Sequence, residues 1–155
     1  RVKAGKRTSP GFLFATLLWH EALAAWEARK QNGEPPIPAL HGAMDEVLDI
    51  QGGKLAITRR IAADIKDIWI LQPRLENRAG RRPLRLVEQP RFKAGYDFLL
   101  LRAESGEVAQ ELADWWRDFI EADTEARLAM LTPEKKSARR RRRGGKRSEG
   151  AATES

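Results

Sequence analysis

Apolar positions recur three and four residues apart along most of this chain, and no stretch alternates apolar with polar as a half-buried strand would. The pattern predicts an all-α fold, a helical bundle of about five to seven helices. Ser9-Pro10 reads as the first helix start, with Ser9 as N-cap and Pro10 where its missing N–H costs nothing. That helix is expected to run to Asn32 and stop at Gly33. Its first turns carry Phe12, Leu13, Phe14, Leu17, Leu18 and Trp19, which are apolar on most sides and are expected to be buried. Residues 34–38 hold three prolines and read as a stiff connector. A second helix over residues 39–50 follows, striped by Leu40, Met44, Val47 and Leu48, and Gly52-Gly53 ends it.

Thr58 is the expected N-cap of a third, longer helix. Ile61, Ile65, Ile68, Trp69, Gln72 and Leu75 share one arc of it, with Arg59, Arg60, Lys66, Arg74 and Arg78 opposite. Asp67 and Ile70 interrupt the basic arc, and Pro73 should kink the helix near Trp69. A basic turn around Gly80 leads to a short helix over 84–88. Pro90 is then the expected start of a central helix ending at Gly106. In that helix Phe92, Tyr96, Leu99 and Ala103 share a face, while Phe98, Leu100 and Leu101 cover the other directions, as in the middle of a bundle. The next helix sets Val108, Leu112, Trp115, Trp116 and Phe119 against Glu107, Glu111, Asp114 and Asp118, with Trp115 expected in the core and Trp116 at its edge. A last short helix through Leu128 and Leu131 stops at Pro133. The chain thus divides into a helical body, 1–132, and a basic tail, 133–155, expected to be disordered when free because it has little apolar side chain to bury.

Charge sharpens this picture. The net +7 is distributed in blocks of alternating sign: residues 54–93 hold eleven basic against four acidic groups, residues 94–132 three against nine, and the tail nine against three. A basic belt between acidic blocks points to a surface that faces a polyanion. The belt residues expected to track phosphates are Arg59, Arg60, Lys66, Arg74, Arg78, Arg81, Arg82, Arg85, Arg91 and Lys93. The tail run Arg139-Arg140-Arg141-Arg142-Arg143 adds sequence-independent binding through counterion release. Some belt cations, about a third, are expected to pair with the acidic helices at 94–132 instead. Phe92, near a helix start, could stack on a base, although packing is its more ordinary use.

Candidate chemistry is sparse. There is no cysteine, which removes disulfides and thiolate metal sites and is compatible with a cytoplasmic location. The apolar run at 12–19 is too short to span a bilayer. His20 and His41 lie on separate helices without ligand-type neighbours. Asp45, Glu46 and Asp49, like Asp64 and Asp67, have the spacing of a solvated helix face. Ser9 and Ser105 have no adjacent base, and no glycine-rich loop precedes Lys-Ser or Lys-Thr. Read from residues alone, the chain has no catalytic residue and no metal site. It reads as a body that binds a phosphate-bearing polyanion, or alternatively as a basic helical protein–protein adaptor.

Several phrases resemble, in order, the C-terminal portion of bacterial poly(A) polymerases. They are Phe12-Leu13-Phe14-Ala15, Leu55-Ala56-Ile57-Thr58-Arg59-Arg60, Asp67-Ile68-Trp69, Gly80-Arg81-Arg82-Pro83-Leu84-Arg85-Leu86-Val87-Glu88, the stretch from Pro90 to Arg102, Trp115-Trp116 and the arginine-rich tail. Gln89 stands where that family usually has histidine, and Gly95 where alanine is usual, which should loosen a helix interior by about 1 kcal/mol. The resemblance implies a nucleotidyltransferase that adds AMP from ATP to RNA 3′ ends, on a scaffold shared with tRNA CCA-adding enzymes, whose body is the alternative. The family's catalytic head, with Gly-Ser followed by Asp-x-Asp, has no counterpart in this sequence. ATP and magnesium are therefore expected in the head, RNA 3′ ends as the partner of this part, and RNA-decay or RNA-chaperone proteins as partners of the tail. The chain opens at Arg1 without an initiator Met and is expected to be a piece of something longer.

Overall fold

A computed structural model describes residues 9–132; residues 1–8 and 133–155, including the arginines at 139–143, lie outside the described region. Among the described residues the structure is all-α, with seven helices: α1 Pro10–Gln31, α2 Pro36–Gly52, α3 Arg59–Glu76, α4 Arg82–Leu86, α5 Phe92–Glu104, α6 Gln110–Glu121 and α7 Thr124–Met130. Two caps are those the sequence indicates: Ser9 accepts from the N–H of Phe12 and Thr58 from that of Ile61, each satisfying a donor that a helix start leaves without a partner. Asp123 caps α7 in the same way, accepting from Ala126.

Several boundaries move, each for a local reason. α2 takes in the expected connector and begins at Pro36, because first-turn N–H groups have no intrahelical acceptor and prolines there lose nothing. α4 starts at Arg82, two residues before its expected position. α5 begins at Phe92; Pro90 sits in the preceding turn, where the Phe92 N–H donates to the Gln89 carbonyl at 3.0 Å.

α3 and α5 pack side by side and divide the interior in two. On one side Phe12, Leu18 and Trp19 of α1 and Met44 of α2 meet Ile65, Ile68 and Trp69 of α3 and Phe98 of α5. On the other, Leu71 and Leu75 of α3 and Leu86 of α4 meet Phe92, Tyr96 and Leu99 of α5 and Leu112, Trp116 and Phe119 of α6. Central burial of α5 is as expected. Its approach to α3 needs Gly95, since a Cβ there would lie 2.6 Å from Leu71 Cδ1 and 3.0 Å from Leu71 Cβ. The glycine that looked like a weak point for the helix is a packing requirement.

Two burial expectations change. Leu13 and Leu17 are 53% and 61% exposed, because α1 is covered only on the side of Phe12, Ala15, Leu18, Trp19 and Ala22. The α6 tryptophans exchange roles: Trp116 is fully buried on the Leu112–Phe119 side, its indole N–H donating to the Leu75 carbonyl at 2.8 Å, whereas Trp115 is half-buried and stacks on Phe119. One residue turns a helix by about 100°, enough to exchange core for edge. Phe92 packs as expected: it is buried, stacked on Tyr96 and tilted against Trp116, so it does not present a face for a base.

Arg102, the last residue of the central phrase, lies buried in this interior. Its guanidinium donates to Gln72 Oε1 at 2.9 Å, Glu76 Oε2 at 2.7 Å and Glu107 Oε2 at 3.0 Å, and lies over the Trp19 ring. Glu107 also accepts from the Trp19 indole. The five-donor fork of arginine thereby ties α1, α3 and the turn after α5 into one network.

Candidate nucleic-acid interface

The basic residues are positioned by the end of α3, the turn after it, α4 and the turn into α5. Asn77 Oδ1 accepts from the Ala79 N–H, and Gly80 adopts φ +62°, a left-handed conformation suited to glycine. The Gly80 N–H donates to the Thr132 carbonyl at 3.0 Å beside a parallel bridge between Ala79 and Thr132. The last described residue is thus fastened to the centre of the basic turn. The arginine-rich sequence that follows Thr132 has its root there.

Two adjoining clefts run along this surface. One, of about 450 Å³, is lined by Arg74, Arg82 and Arg85 with Asn77 and Gln89, over an apolar floor of Ile37, Pro73 and Leu86. The other, of about 400 Å³, shares Arg74 and Gln89 and extends to Pro90, Arg91 and Asp67. Three guanidinium-bearing side chains beside amide groups and an apolar floor suit a phosphate–sugar–base unit, with forks for phosphate oxygens. Gln89 places a hydrogen-bonding side chain in both clefts. Ile37 reaches the floor from α2, a contribution hidden from the sequence because its segment read as a connector.

The belt is not uniform. Arg59, Arg60, Arg74, Arg81 and Arg85 are exposed and have no ion-pair partner among the described residues. Lys66 pairs with Asp45 at 2.6 Å, and Arg78 pairs with Glu111 at 2.8 Å and lies over the Trp115 ring. Arg91 is held by Asp64 and Asp67, and Lys93 reaches the buried Asp97 at 3.1 Å. Of the belt's ion pairs among the described residues, those of Arg78 and Lys93 reach the acidic 94–132 block. Lys66 and Arg91 pair with carboxylates of α2 and α3, the ones that read as a solvated face. Arg59 and Arg60 stand in the first turn of α3, some 20 Å along the helix from Arg74 at 1.5 Å per residue. They form a separate basic end, and cations at a helix N-terminus gain nothing from its dipole.

Among the described residues no group of three or more His, Cys, Asp or Glu is placed to hold a metal ion. Among the same residues no helix is long and apolar enough to cross a membrane.

Comparison with known proteins gives a consistent answer. Residues 32–148 match the family described as "Polymerase A arginine-rich C-terminus". The chain is 37% identical over 134 residues to Poly(A) polymerase I of Salmonella typhi, covering 84% of this chain and 29% of that protein. It is 39% identical over 140 residues to Poly(A) polymerase I of Haemophilus influenzae, covering 88% of this chain and 30% of the relative. With Poly(A) polymerase I of Escherichia coli O157:H7 it shares 39% over 122 residues, 77% of this chain and 26% of the relative. The chain therefore spans less than a third of the length of the relatives it matches.

Proposed function

The chain belongs to the family of the polymerase A arginine-rich C-terminus, and on that premise we propose that it is the RNA-gripping part of a polynucleotide adenylyltransferase. The observation that carries the reading is the convergence of Arg74, Arg82 and Arg85 in one cleft, beside the turn to which the root of the arginine-rich sequence is fastened. In this reading the unpaired Arg74, Arg81 and Arg85, with Arg82, hold the RNA backbone, and the run at 139–143 extends the grip. Lys66, Arg78, Arg91 and Lys93, already neutralised by carboxylates, contribute less. Holding an RNA near its 3′ end converts a bimolecular encounter into a positioned one. The transfer of AMP from ATP, with magnesium, belongs to the remaining length of the enzyme, acting in the cytoplasm. RNA-decay or RNA-chaperone proteins are the partners proposed for the tail.

The test is the salt dependence of single-stranded RNA binding, followed by fluorescence anisotropy. For single strands each phosphate contact contributes about 0.7 to the slope of log K against log salt. Replacing Arg74, Arg81 and Arg85 together by alanine should lower that slope by about 2, whereas Lys66→Ala should change it by well under one contact's worth. An unchanged slope in a folded triple variant overturns the proposed surface.

A further inference from the structure

A cleft between α5 and α6 lies outside the RNA-facing surface. It encloses about 420 Å³, with Tyr96, Leu100 and Ile120 as apolar wall and Asp97, Asp114 and Glu121 as its acids. Asp97 has no exposed surface. Its Oδ1 accepts from Lys93 Nζ at 3.1 Å, while its Oδ2 is buried without any hydrogen-bond partner. A carboxylate only accepts, so Oδ2 lacks a donor: Lys93, which also lines the cleft, reaches Oδ1 alone. Arg117, at the rim, is already engaged by Asp114 at 3.3 Å and Asp118 at 3.2 Å. Burial pushes the Tyr96 hydroxyl above its ordinary value of 10.0; Arg117 opposes the rise, and Asp97, Glu121 and Asp114 add to it. A phosphate is an unsuitable guest here: it would meet three carboxylates, while the two cations of the lining, Lys93 and Arg117, are already engaged by Asp97, Asp114 and Asp118. The complementary guest is a thin cation with several N–H donors, which describes a guanidinium.

This chain carries such groups within reach. The Thr132 carbonyl is fastened to Gly80, Arg78 two residues earlier pairs with Glu111, and neighbouring Gln110 lines the cleft. From Thr132 to residue 139 an extended chain spans about 24 Å, longer than the roughly 16 Å rise of α6 from Gln110 to Glu121. Tethering at that length gives an effective concentration on the order of millimolar, so individually weak ion pairs suffice. We propose that, without RNA, the α5–α6 cleft holds arginine side chains of the run at 139–143 of this same chain. The inference rests on the RNA-binding reading only for its consequence: an arginine held by the cleft is withheld from phosphate, so RNA and cleft compete.

The chain has no cysteine, so Ser137→Cys gives one site for a nitroxide label on the full chain. In its NMR spectrum the label should selectively broaden the amides of Leu100, Ala113 and Ile120. That broadening should be lost when the five arginines become alanine, or when Asp114→Asn and Glu121→Gln are combined. Absence of selective broadening, or its survival in the five-alanine chain, overturns the proposal. In RNA titrations, Asp114→Asn with Glu121→Gln should raise affinity roughly threefold, the worth of about one partly exposed ion pair. The gain should vanish in the five-alanine background; an equal gain in both backgrounds means a general charge effect and overturns it. A labelled chain that docks its tail but binds no RNA supports the docking and refutes the RNA-gripping reading instead.

Discussion

Arg102→Met tests whether the buried guanidinium holds the fold together. Arg102 is 7% exposed, and methionine fills most of its volume, so the change removes donors more than packing. Three acceptors lose a partner, and they are not equal. Glu76 has 45% of its side chain exposed and returns to water at little cost. Glu107 is 24% exposed and keeps the Trp19 indole, so it loses part of its solvation, at about 1–2 kcal/mol. Gln72 is 1% exposed and its Oε1 is left without a donor, at about 1–2 kcal/mol. The arginine's own desolvation penalty disappears, but breaking a buried pair from one side usually costs about 3–5 kcal/mol. We expect a loss of about 3 kcal/mol, near the lower end. For a domain of this size that lowers Tm by roughly 10–15 °C, read by far-UV circular dichroism on a reversible melt. Arg102→Lys should fall between, since an ammonium cannot span three acceptors with the geometry of the fork. A drop below about 1 kcal/mol for the methionine variant would falsify the view that this network is central.

Three further outcomes follow from the same packing. Gly95→Ala gains up to about 1 kcal/mol in helix propensity but drives a methyl into Leu71, which costs about 1–3 kcal/mol; a net loss of about 1 kcal/mol is expected in urea melts, and a stabilised variant would show that α3 and α5 can part freely. Lys93→Met strands the buried Asp97 carboxylate and should cost about 2–4 kcal/mol, while Lys93→Met with Asp97→Leu should recover most of it; equal damage in single and double variants would refute the pairing. Tyr96 gives a pH dependence. Its hydroxyl is raised above 10.0 in the fold, so beyond that pH the unfolded chain releases a proton that the folded chain retains. Stability should fall as pH rises past 10, and Tyr96→Phe should flatten that fall; an identical alkaline profile in the variant would count against it.

Much of the fold is legible along the chain because helix period, caps and glycine stops are local. Ser9, Thr58 and Gly106 mark ends by backbone chemistry that needs no neighbour. Pro36 and Pro90 mislead because proline is compatible both with a first turn and with the turn before it, and only the packing of the residues that follow, Ala39 and Leu40 in one case and Phe92 in the other, decides between them. The clustering of basic residues at 74–85 is likewise visible in one dimension, since they lie close in sequence on successive short elements. Arg102 is the residue that sequence reasoning missed: a lone arginine at the end of an apolar run looks like a helix-terminal surface cation. Its one signal was the absence of any other basic residue in the second half of that helix.

By itself, then, the sequence determined that the chain is helical, that it carries a basic belt, and that its phrases match one family. Periodicity and composition survive in any arrangement of the helices. Only the tertiary structure decided which cations are free. Among the described residues Arg74, Arg81 and Arg85 have no ion-pair partner, whereas packing brings Glu111 of α6 to Arg78 and Asp64 and Asp67 of α3 to Arg91; the Lys93–Asp97 pair, four residues apart on α5, is local. Pairing depends on Coulomb interactions over a few ångströms, and between distant segments separations on that scale exist only once the helices are packed.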